Sequence, residues 1–326
     1  MKPIPNAVLA LLCLAGLTAC TTGAGEKSAA TPLCADTSQR PALADDGFRS
    51  ALWQQSAAEY DALSLQVFAR AEVMLKRAIA RPHWSALDAS EAPTPLNGSH
   101  LAIITDIDET LLDNSPFTVR QMREPMPACM TVAEARSEWD RRWLEWVRDA
   151  EATALPGAAE FMQRAVARSN ANIQIEVFYV TNRKDEEKEA TCANLKQVGF
   201  PLRDCATQVL TRNDEDGRGK DKISRRQRIA AKHRVVLMFG DNLGDFVGNI
   251  LTNETARNAL VAGKKDWWGQ RWFMLPNPSY GSWEEILNRV SDRPDDFATA
   301  AARNAYLRAQ KEKRLEDCRS NDCLTP

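Results

Sequence analysis

Acidic, hydroxyl and basic side chains fall in three short clusters that lie far apart in this chain: Asp106-Ile107-Asp108-Glu109-Thr110, Thr181-Asn182-Arg183 and Gly240-Asp241-Asn242-Leu243-Gly244-Asp245. Each follows an apolar run directly: Leu101–Thr105, Ile173–Val180 and Val235–Phe239. If the clusters converge, Asp106, Asp108 and Asp241 crowd three carboxylates into one small site, which requires a cation or a proton to offset their repulsion. Hard oxygen donors in a partly hydrated setting suit Mg²⁺. A carboxylate beside such an ion can attack phosphorus in line while the cation neutralises phosphate oxygens, so the chemistry in reach is phosphoryl transfer. Taken singly, the clusters have plainer roles: Asp106 and Asp108 as helix caps, Thr181 and Asn182 as caps of the next helix, Gly240-Asp241 as a turn. An EF-hand loop starting at Asp106 fails, because its sixth and twelfth positions hold Leu111 and Phe117 instead of Gly and Glu. The joint occurrence, each cluster at a strand end, favours chemistry over capping.

The elements that must position these residues alternate along the chain. Trp53, Ala57, Tyr60, Ser64, Val67, Ala71 and Leu75 recur near the 3.6-residue period and predict a helix over 47–81, stopped by Pro82. Ala92 to Gly98 reads as a loop. The continuous apolar runs named above read as strands buried on both faces, with a weaker strand at Gln208–Thr211 and a last one at Arg271–Leu275. Helices are expected at 133–150, 157–171, 185–198, 221–232 and 243–262. Strand and helix in such alternation predict a doubly wound, Rossmann-like parallel sheet, whose ligands sit at the carboxyl ends of the strands. No internal repeat is visible.

The 326 residues, 44% hydrophobic and 26% charged, exclude disorder and collagen-like structure, and suffice for two average domains or one large α/β domain. A net charge of −2 offers no basic field for a nucleic-acid polymer. Residues 1–19 read as a signal peptide: Lys2, an apolar stretch Val8–Leu17 too short to span a bilayer, then Leu17-Thr18-Ala19-Cys20, which resembles a bacterial lipobox with Cys20 as the lipidated residue. With Thr21 after Cys20, an outer-membrane lipoprotein is expected, anchored by several acyl chains. Residues 20–46 read as a flexible tether, 47–297 as the catalytic domain and 298–326 as a charged helical extension. Export makes disulfides plausible among the remaining six cysteines, Cys192 with Cys205 and Cys318 with Cys323 being the candidate pairs. With only His83, His100 and His233 and no Cys-x-x-Cys, no zinc site is expected.

The segments Ile104-Thr105-Asp106-Ile107-Asp108-Glu109-Thr110-Leu111-Leu112-Asp113-Asn114-Ser115-Pro116, Phe178 to Arg183, Lys220-Asp221-Lys222 and Phe239 to Phe246 resemble the haloacid-dehalogenase superfamily of phosphatases. More narrowly they are similar to class C bacterial acid phosphatases of the outer-membrane lipoprotein type, as are Trp53 to Tyr60 and Leu275 to Glu284. The resemblance runs from about Trp53 to Leu287. It implies a haloacid-dehalogenase-type core with a small helical cap built from N- and C-terminal segments. It further implies Asp106 as nucleophile forming an aspartyl phosphate, and Asp108 as general acid and then base. Mg²⁺ would be held by Asp106, the backbone carbonyl of Asp108 and Asp241. Thr181 would contact phosphate, with Asn182 supporting. A lysine would balance the charge, Lys222 or Lys220, and Asp245 would orient that lysine or a metal-bound water. Gly244 departs from the pattern, since many relatives carry another acid there.

The expected substrate is a small phosphomonoester, nucleoside monophosphates included by what the resemblance implies, with an acidic pH optimum. Trp139, Trp143 and Trp146 share a helix face, for which core packing is the commoner explanation. Relatives place aromatics near these segments against a nucleobase, which makes Trp146 and Tyr280 candidates for substrate binding. Two competitors remain: a non-catalytic surface binding or adhesion lipoprotein on the same fold, and a dehalogenase. A binding protein need not keep both Asp106 and Asp108, and a dehalogenase needs neither Asp108 nor a metal.

Overall fold

The structure, a computed structural model, describes residues 47–91, 98–212, 219–250, 252–288 and 297–312. In chain order its elements are α1 (Phe48–Ser56), α2 (Ala58–Ile79), β1 (His100–Thr105), β2 (Leu112–Asp113), α3 (Ser115–Arg123), α4 (Val132–Asp149), β3 (Thr153–Ala154), α5 (Ala158–Val166), β4 (Gln174–Val180), α6 (Lys188–Gln197), α7 (Cys205–Gln208), β5 (Val209–Leu210), α8 (Ile223–Ala230), β6 (Arg234–Gly240), α9 (Glu254–Gly263), β7 (Trp272–Met274), α10 (Ser282–Asn288) and α11 (Ala300–Glu312). The signal, the tether, most of the 92–98 loop, Cys318 and Cys323 lie outside the described residues.

Five strands form one parallel sheet in the order β5-β4-β1-β6-β7. With β1 in the middle, the chain winds outward first to one side and then to the other, the doubly wound arrangement that the alternation predicts. The period of two along each strand sends side chains to two separate cores. Leu101, Ile103, Val177 and Phe239 face α2, α5 and α6, packing with Phe68 and Phe161. Ala102, Ile104, Phe178 and Met238 face the side of α8, packing with Ile229, Phe246 and Trp272. The near-continuous Val/Ile/Leu content of β1 and β6 follows from this burial on both faces.

A second layer of helices covers the carboxyl end of the sheet. Helices α3 and α4 arise between β1 and β4, with the antiparallel β2–β3 pair at their base. The N-terminal α1 packs on α3, and the C-terminal α11 packs on α4 and α10. Terminal segments therefore contribute to the helical cap, and α3 and α4 add to it from inside the core sequence. Helix α4 starts at a capping box in which Thr131 accepts from the Glu134 backbone N–H while Glu134 reaches back to Thr131.

Two expected helices are divided. The 47–81 helix breaks at Ala57, whose extended backbone (ψ 118°) separates α1 from α2. The 243–262 helix is a single short turn over Leu243–Asp245, and helix resumes only at α9, which Asn253 caps by accepting from the Ala256 backbone N–H. A disulfide joins Cys192 in α6 to Cys205 at the start of α7, and Cys129 is disulfide-bonded as well.

Candidate active site

The three clusters meet because β4, β1 and β6 are adjacent and parallel. Asp106 extends β1 by one residue, its N–H donating to the Phe239 carbonyl of β6 at 3.0 Å, and Thr181 extends β4 toward β5 through the Leu210 carbonyl at 3.0 Å. Asp106, Thr181 and Asp241 therefore emerge side by side where the sheet ends.

The charges there are arranged around one buried ammonium group. Lys222, the residue preceding α8, donates from Nζ to Asp106 Oδ1 and, at 2.7 Å, to Asp245 Oδ1. Lys220 instead lies on the surface against Glu285. The second Asp245 oxygen accepts from the Asn242 backbone N–H at 2.9 Å, so this carboxylate is fully engaged in holding the lysine and the turn. Gly240 makes that turn possible: a Cβ at this position would stand 2.3 Å from the Asp245 side chain. Asp241 is oriented by two donors, Thr110 Oγ1 at 3.1 Å and Asn277 Nδ2 at 2.8 Å.

One ligand atom from each of Asp106, Asp241 and Asp245 lies within 4.8 Å of the others. Three carboxylates against one ammonium leave an excess of negative charge in a buried place. Burial, with Asp245 and Asp108 adding to it and Lys222 opposing, pushes the Asp106 carboxyl up to about 7. Burial and the charges of Asp245 and Asp106 push Asp241 well above the usual carboxylate range. Such a site gains by taking up a cation, and an all-oxygen donor set suits a hard divalent ion. Asp106 and Asp241 are the side chains that would hold it, since both Asp245 oxygens are already engaged, by Lys222 and by the Asn242 N–H.

Asp108 is set by residues whose roles the sequence reading missed. Arg183, buried at 3% exposure, donates from Nη2 to Asp108 Oδ1 at 2.8 Å and from Nε to both oxygens at 3.1 and 3.2 Å. Asn114 Nδ2 donates to the same Oδ1 at 2.9 Å. Asn114 Oδ1 accepts from the Trp146 indole N–H at 2.8 Å, so a relay runs Trp146 to Asn114 to Asp108 through the Asn114 amide. A signal was present for Arg183, directly after Thr181-Asn182 at a strand end; for Asn114 it was only proximity in sequence.

This geometry corrects one expectation. Trp146 is 3% exposed, with the Arg120 guanidinium 4.9 Å over its ring, so it presents no face to a substrate base. Its amphipathic indole is spent on core packing and one buried hydrogen bond. On the same helix, Trp139 is exposed and stacks on Trp143, against whose ring Arg183 rests at 5.4 Å. Tyr280 is 42% exposed and donates its hydroxyl to buried Glu109, which also accepts the Asn114 backbone N–H at 2.8 Å. Thr181 Oγ1 accepts from the Arg183 backbone N–H at 3.1 Å, which leaves its own proton to donate outward. Buried Arg225 holds the Thr181 carbonyl and, at 2.9 Å, Asn182 Oδ1.

A parallel α/β sheet with clustered carboxylates and a buried lysine at its carboxyl edge defines a haloacid-dehalogenase-type enzyme. A family model described as HAD superfamily, subfamily IIIB (Acid phosphatase) matches residues 33–283. The chain belongs to this family of acid phosphatases, which are phosphomonoester hydrolases. Two solved structures of the class C acid phosphatase from Bacillus anthracis are similar. One, with tungstate bound, has TM-score 0.66 and 28% identity, over 84% of this chain and 98% of that one. The other has TM-score 0.65 and 27% identity, with the same coverage. Acid phosphatase 1 from Solanum lycopersicum is 26% identical over 180 residues, 54% of this chain. The chain spans 57% of the length of that curated relative.

Proposed function

We propose that this chain is a Mg²⁺-dependent acid phosphatase that hydrolyses phosphate monoesters, nucleoside 5′-monophosphates among them, through a phosphorylated Asp106. The observation that carries this reading is the buried Lys222 shared by Asp106 and Asp245 with Asp241 alongside. In the first half-reaction an Asp106 oxygen bonds to phosphorus as the ester P–O bond breaks, and Asp108 gives its proton to the departing alcohol oxygen. In the second, Asp108 takes a proton from water, the water oxygen bonds to phosphorus, and inorganic phosphate leaves as the Asp106 carboxylate is restored. Lys222 and Thr181 stabilise charge on the transferring oxygens. A bound Mg²⁺ would supply further charge neutralisation at those oxygens. Tungstate in one of the similar structures supports an oxyanion site in this fold.

The nucleotide preference rests on Tyr280, whose exposed ring is fixed through its hydroxyl to Glu109 beside Asp108. An acidic optimum follows from a carboxylic acid as proton donor. At the N-terminus we propose lipidation at Cys20 and attachment to the outer membrane. Among the described residues no helix is long and apolar enough to cross a membrane.

The test is an assay of the lipid-free domain on nucleotides and simple alkyl phosphates, with and without Mg²⁺. Mass spectrometry after an acid quench should find phosphate on Asp106. Activity that survives chelator or Asp106→Asn overturns the reading. Equal efficiency on nucleotides and alkyl phosphates removes only the base preference, and absence of acyl label in Cys20→Ala alone is the result expected of a lipoprotein.

A further inference from the structure

At the amino end of the sheet, away from the carboxylates, three side chains that the phosphatase chemistry does not use come together. His100 opens β1, His233 immediately precedes β6, and Glu176 lies near the start of β4. Register explains their meeting: Leu101 pairs with Arg234, which sets His100 beside His233, and Ala102 pairs with Glu176. Strand alternation sends all three to the face that carries Ala102, Phe178 and Val235. One candidate ligand atom from each lies within 4.8 Å of the other two.

The His233 ring is oriented in advance. Its Nδ1 is 3.3 Å from the Ile229 carbonyl, so a proton on Nδ1 donates there and leaves the lone pair on Nε2. Nε2 is the atom that faces Glu176 Oε1, at 3.7 Å. Phe178 (centroids 4.8 Å) and His100 (6.0 Å) meet the ring edge to face. Exposed Arg203 approaches the other Glu176 oxygen, at 3.5 Å. His100 is exposed, which leaves one side of the cluster open to water.

We infer that His100, Glu176 and His233 form a second cation site, of the zinc class, with water as the fourth ligand. Two imidazoles and one carboxylate are a zinc donor set and a poor match for Mg²⁺. Zinc–nitrogen distances of about 2.0–2.1 Å require the ligand atoms to draw closer than they stand now. Rotation of the exposed His100 side chain supplies the movement. Composition could not show this site, because it is assembled by strand register from residues more than fifty positions apart. Occupancy ties together the starts of the three central strands and raises the stability of the folded chain by mass action.

The experiment is calorimetric titration of tag-free protein with zinc in saturating Mg²⁺, with Co²⁺ as a spectroscopic probe. One zinc equivalent should bind, raise the melting temperature, and give a tetrahedral Co²⁺ band. His100→Ala and Glu176→Gln should each weaken binding by roughly tenfold or more while leaving turnover in Mg²⁺ unchanged. His100 is on the surface, so its variant keeps the test valid if Glu176→Gln proves unstable. Zinc that is displaced by excess Mg²⁺, or that binds His100→Ala as it binds the parent, overturns the inference.

Discussion

The same three strands carry two unlike clusters, one at each end. At the carboxyl end, Asp106, Thr181 and Asp241 stand just past β1, β4 and β6, and each is held by partners from elsewhere, namely Lys222, Arg225 and Asn277. At the amino end, His100 and Glu176 lie within their strands and His233 abuts β6, so register alone sets their spacing. The first arrangement concentrates uncompensated buried charge; the second is a half-open group of two imidazoles and one carboxylate. The contrast separates a site that strains against its own burial from one that the sheet holds at little cost.

The largest expected difference between the ends is in catalysis. Asp106→Asn should lower kcat by on the order of 10⁴-fold or more, whereas His100→Ala should leave it unchanged; steady-state kinetics in Mg²⁺ reads both. Next comes stability. Lys222→Met leaves Asp106 and Asp245 buried without their cation and should cost about 3–5 kcal/mol in urea unfolding, against within ~0.5 kcal/mol for His100→Ala without zinc.

Acidity sharpens the same comparison. In the metal-free protein the Asp106 carboxyl sits at about 7, above its ordinary value, so the folded chain binds more protons than the unfolded one between roughly pH 4 and 7. Its contribution to stability is therefore fully present at low pH and is lost as pH rises through 7. Melting temperature in chelator should fall over that window, and added Mg²⁺ should restore more at pH 7 than at pH 4.5. The smallest effect concerns the relay behind Asp108. Asn114→Ala should reduce turnover by about tenfold, and more for alkyl phosphates than for an ester with a good leaving group, since only the former needs the full proton transfer.

What was legible in the sequence follows from burial. β1, β4 and β6 are covered on both faces, so their apolar runs are continuous and their ends mark the chemistry. The break at Ala57 was hidden because apolar positions continue in phase across it. The 243–262 helix was misread because Asn242 and Asp245 form their own short capped turn, with Asp245 drawn to Lys222 by a contact 23 residues away in sequence. β2 and β3, two residues each, are too short for any periodicity to register. For Trp146, helical spacing could not distinguish a ring facing a substrate from one turned inward to Asn114.

Helix α11 lies against α4, with Leu307 buried and the Ala300 N–H donating to the Met130 carbonyl at 2.8 Å. Because Trp146 sits on α4 and its indole bonds Asn114, which in turn bonds Asp108, the packing of α11 on α4 connects the C-terminal segment to the proposed proton donor. Trimming the polypeptide before residue 298 removes the α11 packing on α4 and should lower kcat through the Trp146–Asn114–Asp108 bonds, with no active-site residue itself deleted.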